Sequence, residues 1–124
     1  MKVVIKSGSF SWAAVIYDTP TGKLIYQALP LKGAANLWGG EIYFALPVEA
    51  ALESGASDIV SRGDLGYWPT GKAFCIFFGS TPVSKGGEIR AASAVNVFGR
   101  IEGRLGDLSA VNDGDEVVVE PARG

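Results

Sequence analysis

Hydrophobic and polar positions along this chain alternate in short bursts and seldom in helical stripes. The stretches 2–6, 10–17, 41–46, 57–61, 73–78, 94–101 and 116–120 are mostly β-branched or aromatic and are bounded by Gly, Pro or Asp, which predicts seven strands. The alternation is most informative in 41–46. There Ile42, Phe44 and Leu46 share one face, expected to enter the core, and Glu41 and Tyr43 fall on the other. In 10–17 apolar residues occupy both alternating sets, so both faces of that strand are expected to be covered.

One helix is signalled after residue 18. Thr19 suits the N-cap, Pro20 suits the first helical position where an N–H has no partner, and Leu24, Ile25, Ala28 and Leu29 form one apolar stripe. Pro30 ends it, and Gly22 in the first turn costs about 1 kcal/mol relative to Ala. A second short helix is expected at 47–53, closed by Gly55. Seven strands without a recurring βαβ alternation predict a mainly β fold, a closed antiparallel β-barrel with one or two short helices, which removes exposed sheet edges.

The 124 residues fit one domain spanning 1–124, and 48% hydrophobic residues are enough for a core without staples. The 17 glycines lie scattered between apolar runs, as tight turns between short strands require, and no internal repeat appears. Eleven Lys and Arg against 13 Asp and Glu leave a net charge of −2, so no nucleic-acid partner is expected. With no His and one Cys, histidine general bases, His-activated nucleophiles and ordinary zinc sites are excluded. No metal, cofactor or catalytic residue is expected, and the balance leans away from an enzyme. The longest apolar run, 73–78, is far short of the ~20 residues of a membrane-spanning helix, and no secretory pattern follows Met1. A reduced, cytoplasmic protein is expected, a monomer or weak dimer, with Cys75 an inert packing residue among Ala73, Phe74, Ile76 and Phe77.

Candidate chemistry lies in the aromatics. Of 13, eight fall in two segments: Trp38, Tyr43 and Phe44, then Tyr67, Trp68, Phe74, Phe77 and Phe78. They are either barrel core or one wall of a pocket, and period-2 alternation allows both. Trp38, Tyr67 and Trp68 are the stronger pocket candidates, because their polar tips suit a wet rim and Tyr67-Trp68-Pro69-Thr70-Gly71 reads as a turn. Glu41 after Gly39-Gly40 needs a partner or an exposed face, and beside Trp38 its pKa would rise. Asp64 reads more readily as a ligand for turn amides than as an acid–base group. Asn96, between Val95 and Val97, either bonds a neighbouring loop or faces a ligand. No Gly-rich segment matches a phosphate loop, and the six acids of 102–120 lack the spacing of a calcium loop, which leaves a solvated acidic face.

Asp18-Thr19-Pro20-Thr21, Ala28-Leu29-Pro30, Asn36-Leu37-Trp38-Gly39-Gly40-Glu41-Ile42-Tyr43-Phe44, Gly63-Asp64-Leu65-Gly66-Tyr67-Trp68-Pro69, Phe74-Cys75-Ile76-Phe77-Phe78-Gly79-Ser80-Thr81-Pro82 and Ala94-Val95-Asn96-Val97-Phe98-Gly99 cover most of the chain. Together they resemble a family of small prokaryotic cyclophilin-like proteins of unknown function. The resemblance implies a cyclophilin-like β-barrel closed by helices, with a surface pocket near where larger cyclophilins bind a prolyl peptide. It does not carry over isomerase residues. The Phe-His-Arg and Phe-Met-Gln motifs and the further His of eukaryotic-type cyclophilins have no counterpart: His is absent, Met occurs only at position 1, and Gln27 lies in the expected helix. The strand that looks equivalent reads Glu41-Ile42-Tyr43-Phe44, and Arg62, Arg90 and Arg100 are the arginines in central segments.

The expectation is therefore a non-catalytic binding module for a small molecule or a proline-containing peptide. Its pocket would be formed by Trp38, Tyr43, Tyr67, Trp68 and Phe74, with Glu41 and Asn96 as polar anchors. The alternatives are a weak peptidyl-prolyl cis-trans isomerase and an accessory subunit of an amide-hydrolysing complex.

Overall fold

The computed structural model describes residues 1–123. Ten strands form: β1 (Lys2–Ser7), β2 (Phe10–Ile16), β3 (Leu31–Ala34), β4 (Asn36–Trp38), β5 (Glu41–Ala45), β6 (Ser57–Val60), β7 (Asp64–Trp68), β8 (Ala73–Phe77), β9 (Ile89–Ile101) and β10 (Glu116–Pro121). One α-helix, α1 (Pro20–Ala28), and a 3-10 turn at Gly106–Ala110 complete the elements. All strand pairings are antiparallel, in the order β3-β10-β1-β2-β9-β7-β8-β5-β4, with β6 added on β9.

The expected mainly β, antiparallel architecture with one helix is present, but hydrogen bonds do not close the sheet into the expected barrel. The path has two ends, β3 and β4, and no ladder joins them among the described residues. The two are consecutive in the chain, with Ala35 alone between them, so covalent continuity brings the ends together where hydrogen bonds do not. Side chains seal the approach. Gly33 of β3 lies against the Phe44 ring so closely that a Cβ there would stand 2.8 Å from Cδ2.

The helix begins as its residues require: Thr19 caps it, its hydroxyl accepting from Gly22 N at 3.0 Å, and Pro20 opens the first turn. Its buried face is Thr21, Gly22 and Ile25, while Leu24, expected in the apolar stripe, is 42% exposed. Nine residues are too few for a full stripe, and the side that faces the sheet is the one carrying Ile25. The stretch 47–53 is not helical. It crosses the end of the core as an irregular segment tied down by side chains. In β2 the covered face carries Trp12, Ala14 and Ile16, and Ala13 on the other face is exposed; Phe10, on the first face at the strand's start, extends past the core and stacks on Trp12 at 6.1 Å between centroids.

The principal core fills the inner face of the sheet. Phe44 and Phe74 stack at 4.9 Å between centroids, Phe98 meets Phe74 edge-on at 5.0 Å, and Ile5, Ile16, Ile42, Leu65 and Val119 surround them. A second, smaller cluster lies on the opposite face: Val60, Ala73, Cys75, Phe77, Ile89, Ala91 and Val95. It exists because β9 is 13 residues long. Its second half pairs with β7 and its first half bends over to pair with β6, so the outer face of β7, β8 and β5 receives a partial cover.

Candidate functional site

The partial cover leaves a hollow. Between β4, β5 and β7 on one side and the first half of β9 on the other lies a cavity of about 250 Å³. Trp38, Tyr43 and Trp68 wall it, Glu41 sits at its base, and Ala91, Ala92 and Val95 close the β9 side.

Strand register explains this grouping. Trp38 pairs with Glu41 across a two-residue turn, Tyr43 pairs with Cys75, and Trp68 pairs with Ala73. Paired residues share a face, so Trp38, Glu41, Tyr43, Cys75 and Trp68 all project outward while Ile42, Phe44, Leu65, Tyr67 and Phe74 project inward. The Gly39-Gly40 turn fixes the Trp38 end. Gly39 has φ +57°, and a Cβ on Gly40 would lie 2.3 Å from the Gly79 carbonyl carbon, so the turn packs backbone to backbone on 79–80. Gly40 N donates to Ser80 O at 2.7 Å and Phe78 N donates to Gly40 O at 2.8 Å. Trp68 is held from the other side, its indole N–H donating to Ser93 Oγ at 2.6 Å.

Glu41 is 6% exposed, and none of the ion pairs among the described residues involves it. Burial raises its carboxyl above the ordinary value, opposed by hydrogen bonding with the neighbouring Cys75 thiol. The Cys75 thiol is itself pushed well up, first by burial and then by the Glu41 carboxylate beside it. That makes it a poor nucleophile, in keeping with its place in the second cluster.

Three of the expected site residues lie elsewhere. Tyr67 and Phe74 are inward-facing and fully buried in the principal core. Tyr67 precedes Trp68 by one residue in a strand, not in a turn, so the two rings point to opposite faces. The Tyr67 hydroxyl donates to Val48 O at 2.6 Å and accepts from Ala50 N at 3.3 Å, which anchors the irregular 47–53 segment. Asn96 anchors the same segment: its Oδ1 accepts from Glu53 N at 2.8 Å, and its Nδ2 donates to Ala51 O and to Thr21 Oγ1, each at 2.9 Å. Glu53 then accepts from Thr21 N at 3.0 Å and from the Thr21 hydroxyl, placing a carboxylate on the first turn of α1. Asn96 is thus a loop fastener remote from the cavity wall.

The central arginines are also engaged elsewhere. Arg90 pairs with Asp58 at 2.5 Å and Glu88 at 2.7 Å, Arg62 donates to Phe78 O, and Arg100 is exposed. Asp64 accepts from Ser61 N at 2.8 Å, the turn role its sequence context favours. The sequence reading missed Ala91, Ala92 and Ser93 because it began the strand at 94, and it placed Val95 in that strand without assigning it to the pocket. The signal was the run of small residues Ala91-Ala92-Ser93-Ala94, which leaves room opposite the rings.

The molecule is a mainly antiparallel sheet with one helix packed against it and an aromatic hollow on the sheet's outer face. The cyclophilin-like family matches over residues 1–120, and the chain belongs to that family. Among solved structures it is similar to the hypothetical protein AF2241 from Archaeoglobus fulgidus, known from a solution structure. The two share 46% sequence identity and a TM-score of 0.82, over 98% of this chain and 95% of that one. Comparison with curated proteins finds no match. No helix is long and apolar enough to cross a membrane among the described residues.

Proposed function

We propose that this protein is a binding module that takes a small molecule into the outer-face cavity between β9 and the sheet. The observation that carries this reading is a hollow with three aromatic walls around one buried, ion-pair-free carboxylate. Rings give contact area at little entropic cost, and a single polar group at the base gives orientation. About 250 Å³ corresponds to roughly eight waters in the liquid, which suits a compact ligand better than a peptide segment. The isomerase alternative has less support, because no cationic donor lines the cavity to hold a twisting amide.

An NMR fragment titration tests this. Ligands should move the indole resonances of Trp38 and Trp68 and leave Trp12, buried in the principal core, in place. Trp68→Ala should weaken such binding at least about tenfold, the loss of a ring anchor. Full affinity in that variant, or fragments that shift Trp12 alone, would refute the assignment.

A further inference from the structure

We propose that the molecule this cavity takes is an organic ammonium ion, its charge set against Glu41 and its alkyl groups against Trp38, Tyr43 and Trp68; this rests on the small-molecule reading above.

The first argument is charge. Glu41 is buried and has no Lys or Arg partner among the described residues, whereas Glu49, Glu88, Glu102 and Glu120 each pair with one. A carboxylate removed from water without a counter-ion is costly, and a bound cation supplies what the fold leaves out. Burial raises the Glu41 carboxyl above its ordinary value, and a cation set beside it acts in the opposite direction, favouring the carboxylate.

The second argument is the wall. The faces of two tryptophans and a tyrosine attract a cation through their quadrupoles, an attraction that grows when water is excluded. The third is the shortage of donors for anything negative. No Lys or Arg lines the cavity, and the Trp68 N–H is already committed to Ser93. An anionic ligand would meet Glu41 with nothing to offset the repulsion.

A neutral Glu41 could instead donate to a carbonyl, and this rival has the opposite pH dependence. Ammonium binding weakens as pH falls and Glu41 takes its proton; carbonyl binding strengthens. The other titratable groups packed against Glu41 are Cys75 from β8 and Tyr43 from β5. The Cys75 thiol is pushed well up and keeps its proton, so the low-pH limb belongs to Glu41.

The test uses choline and tetramethylammonium against 3,3-dimethylbutan-1-ol, the neutral isostere of choline, followed by the Trp38 and Trp68 indole resonances. Choline should bind about tenfold more tightly than the isostere at pH 8, the preference should shrink toward pH 4, and Glu41→Gln should reduce it to the part the rings supply and remove its pH dependence. Isosteric binding equal to choline, or a preference undiminished in Glu41→Gln, overturns the ammonium assignment and leaves the small-molecule reading standing. Saturation by none of the three overturns the ammonium assignment, and the fragment titration above decides the small-molecule reading separately. Unchanged Trp12 resonances in Glu41→Gln confirm that the variant is folded.

Discussion

The inner and outer faces of β5, β7 and β8 share one backbone and end in opposite states. Inside, Phe44 and Phe98 each meet Phe74 with ring centroids near 5 Å, and the buried Tyr67 hydroxyl is satisfied by Val48 O. Outside, Tyr43, Trp68 and Glu41 face a cover that is too short. β6 and the first half of β9 seal Cys75 and Phe77 and stop before they fill the space above Glu41. The inner face receives side chains from the whole sheet, the outer one only from a single bent strand and its four-residue neighbour. The packed core and the candidate cavity thereby lie on different sides of the same three strands.

Mutations can break or sharpen that contrast. Phe74→Ala removes the ring at the centre of the inner stack and should cost about 3–5 kcal/mol in denaturant unfolding. A loss below about 1 kcal/mol would erase the distinction between the faces. Asn96→Ala leaves Glu53 N and Ala51 O without their partner and should cost about 2–3 kcal/mol. Amide exchange should accelerate at 50–56 before it does in β8; uniform acceleration would contradict the fastener role. On the outer face, Trp68→Ala should cost about 1–2 kcal/mol, since a half-buried rim residue loses one hydrogen bond and part of its contact area.

Glu41→Gln should have the smallest effect and the opposite sign. Because burial raises the folded carboxyl above 4.5, folding favours the protonated form. That contribution is complete at pH below the unfolded value and is lost as pH rises through the folded one. The Gln variant stays neutral throughout, so it should match the parent near pH 4 and exceed it near pH 8. A difference in stability that does not change with pH would show that Glu41 titrates as it does in the unfolded chain.

Much of this was legible from sequence where local pattern and tertiary setting agree. The alternation in 41–46 separates Ile42 and Phe44 from Glu41 and Tyr43, and the register confirms both sets. Thr19-Pro20 marks the helix start because capping is a local transaction between neighbours. Other elements are set at a distance. β3 and β4 contain Gly33, Ala34 and Asn36, poor strand residues, and form because β10 and β5 offer them ladders. Residues 47–53 carry helix-compatible side chains yet stay irregular, held by Tyr67 and Asn96 from other strands. Aromatic crowding at 67–68 pointed to a pocket but could not divide the pair, since a strand sends adjacent rings to opposite faces and a turn does not.

The place of β10 in the ladder bears on how the chain is made. Both β3 and the free side of β1 pair with β10 alone, through residues 31–34 against 116–119 and 3–6 against 118–121. While the chain emerges from the ribosome, β1 has β2 within reach almost at once, but β3 and the far side of β1 wait until residue 121 is clear of the tunnel. For most of synthesis these are open edges able to pair with a neighbouring nascent chain. Lys2, Lys6 and Lys32 lie along them, and lysine at an open edge disfavours pairing with a second chain.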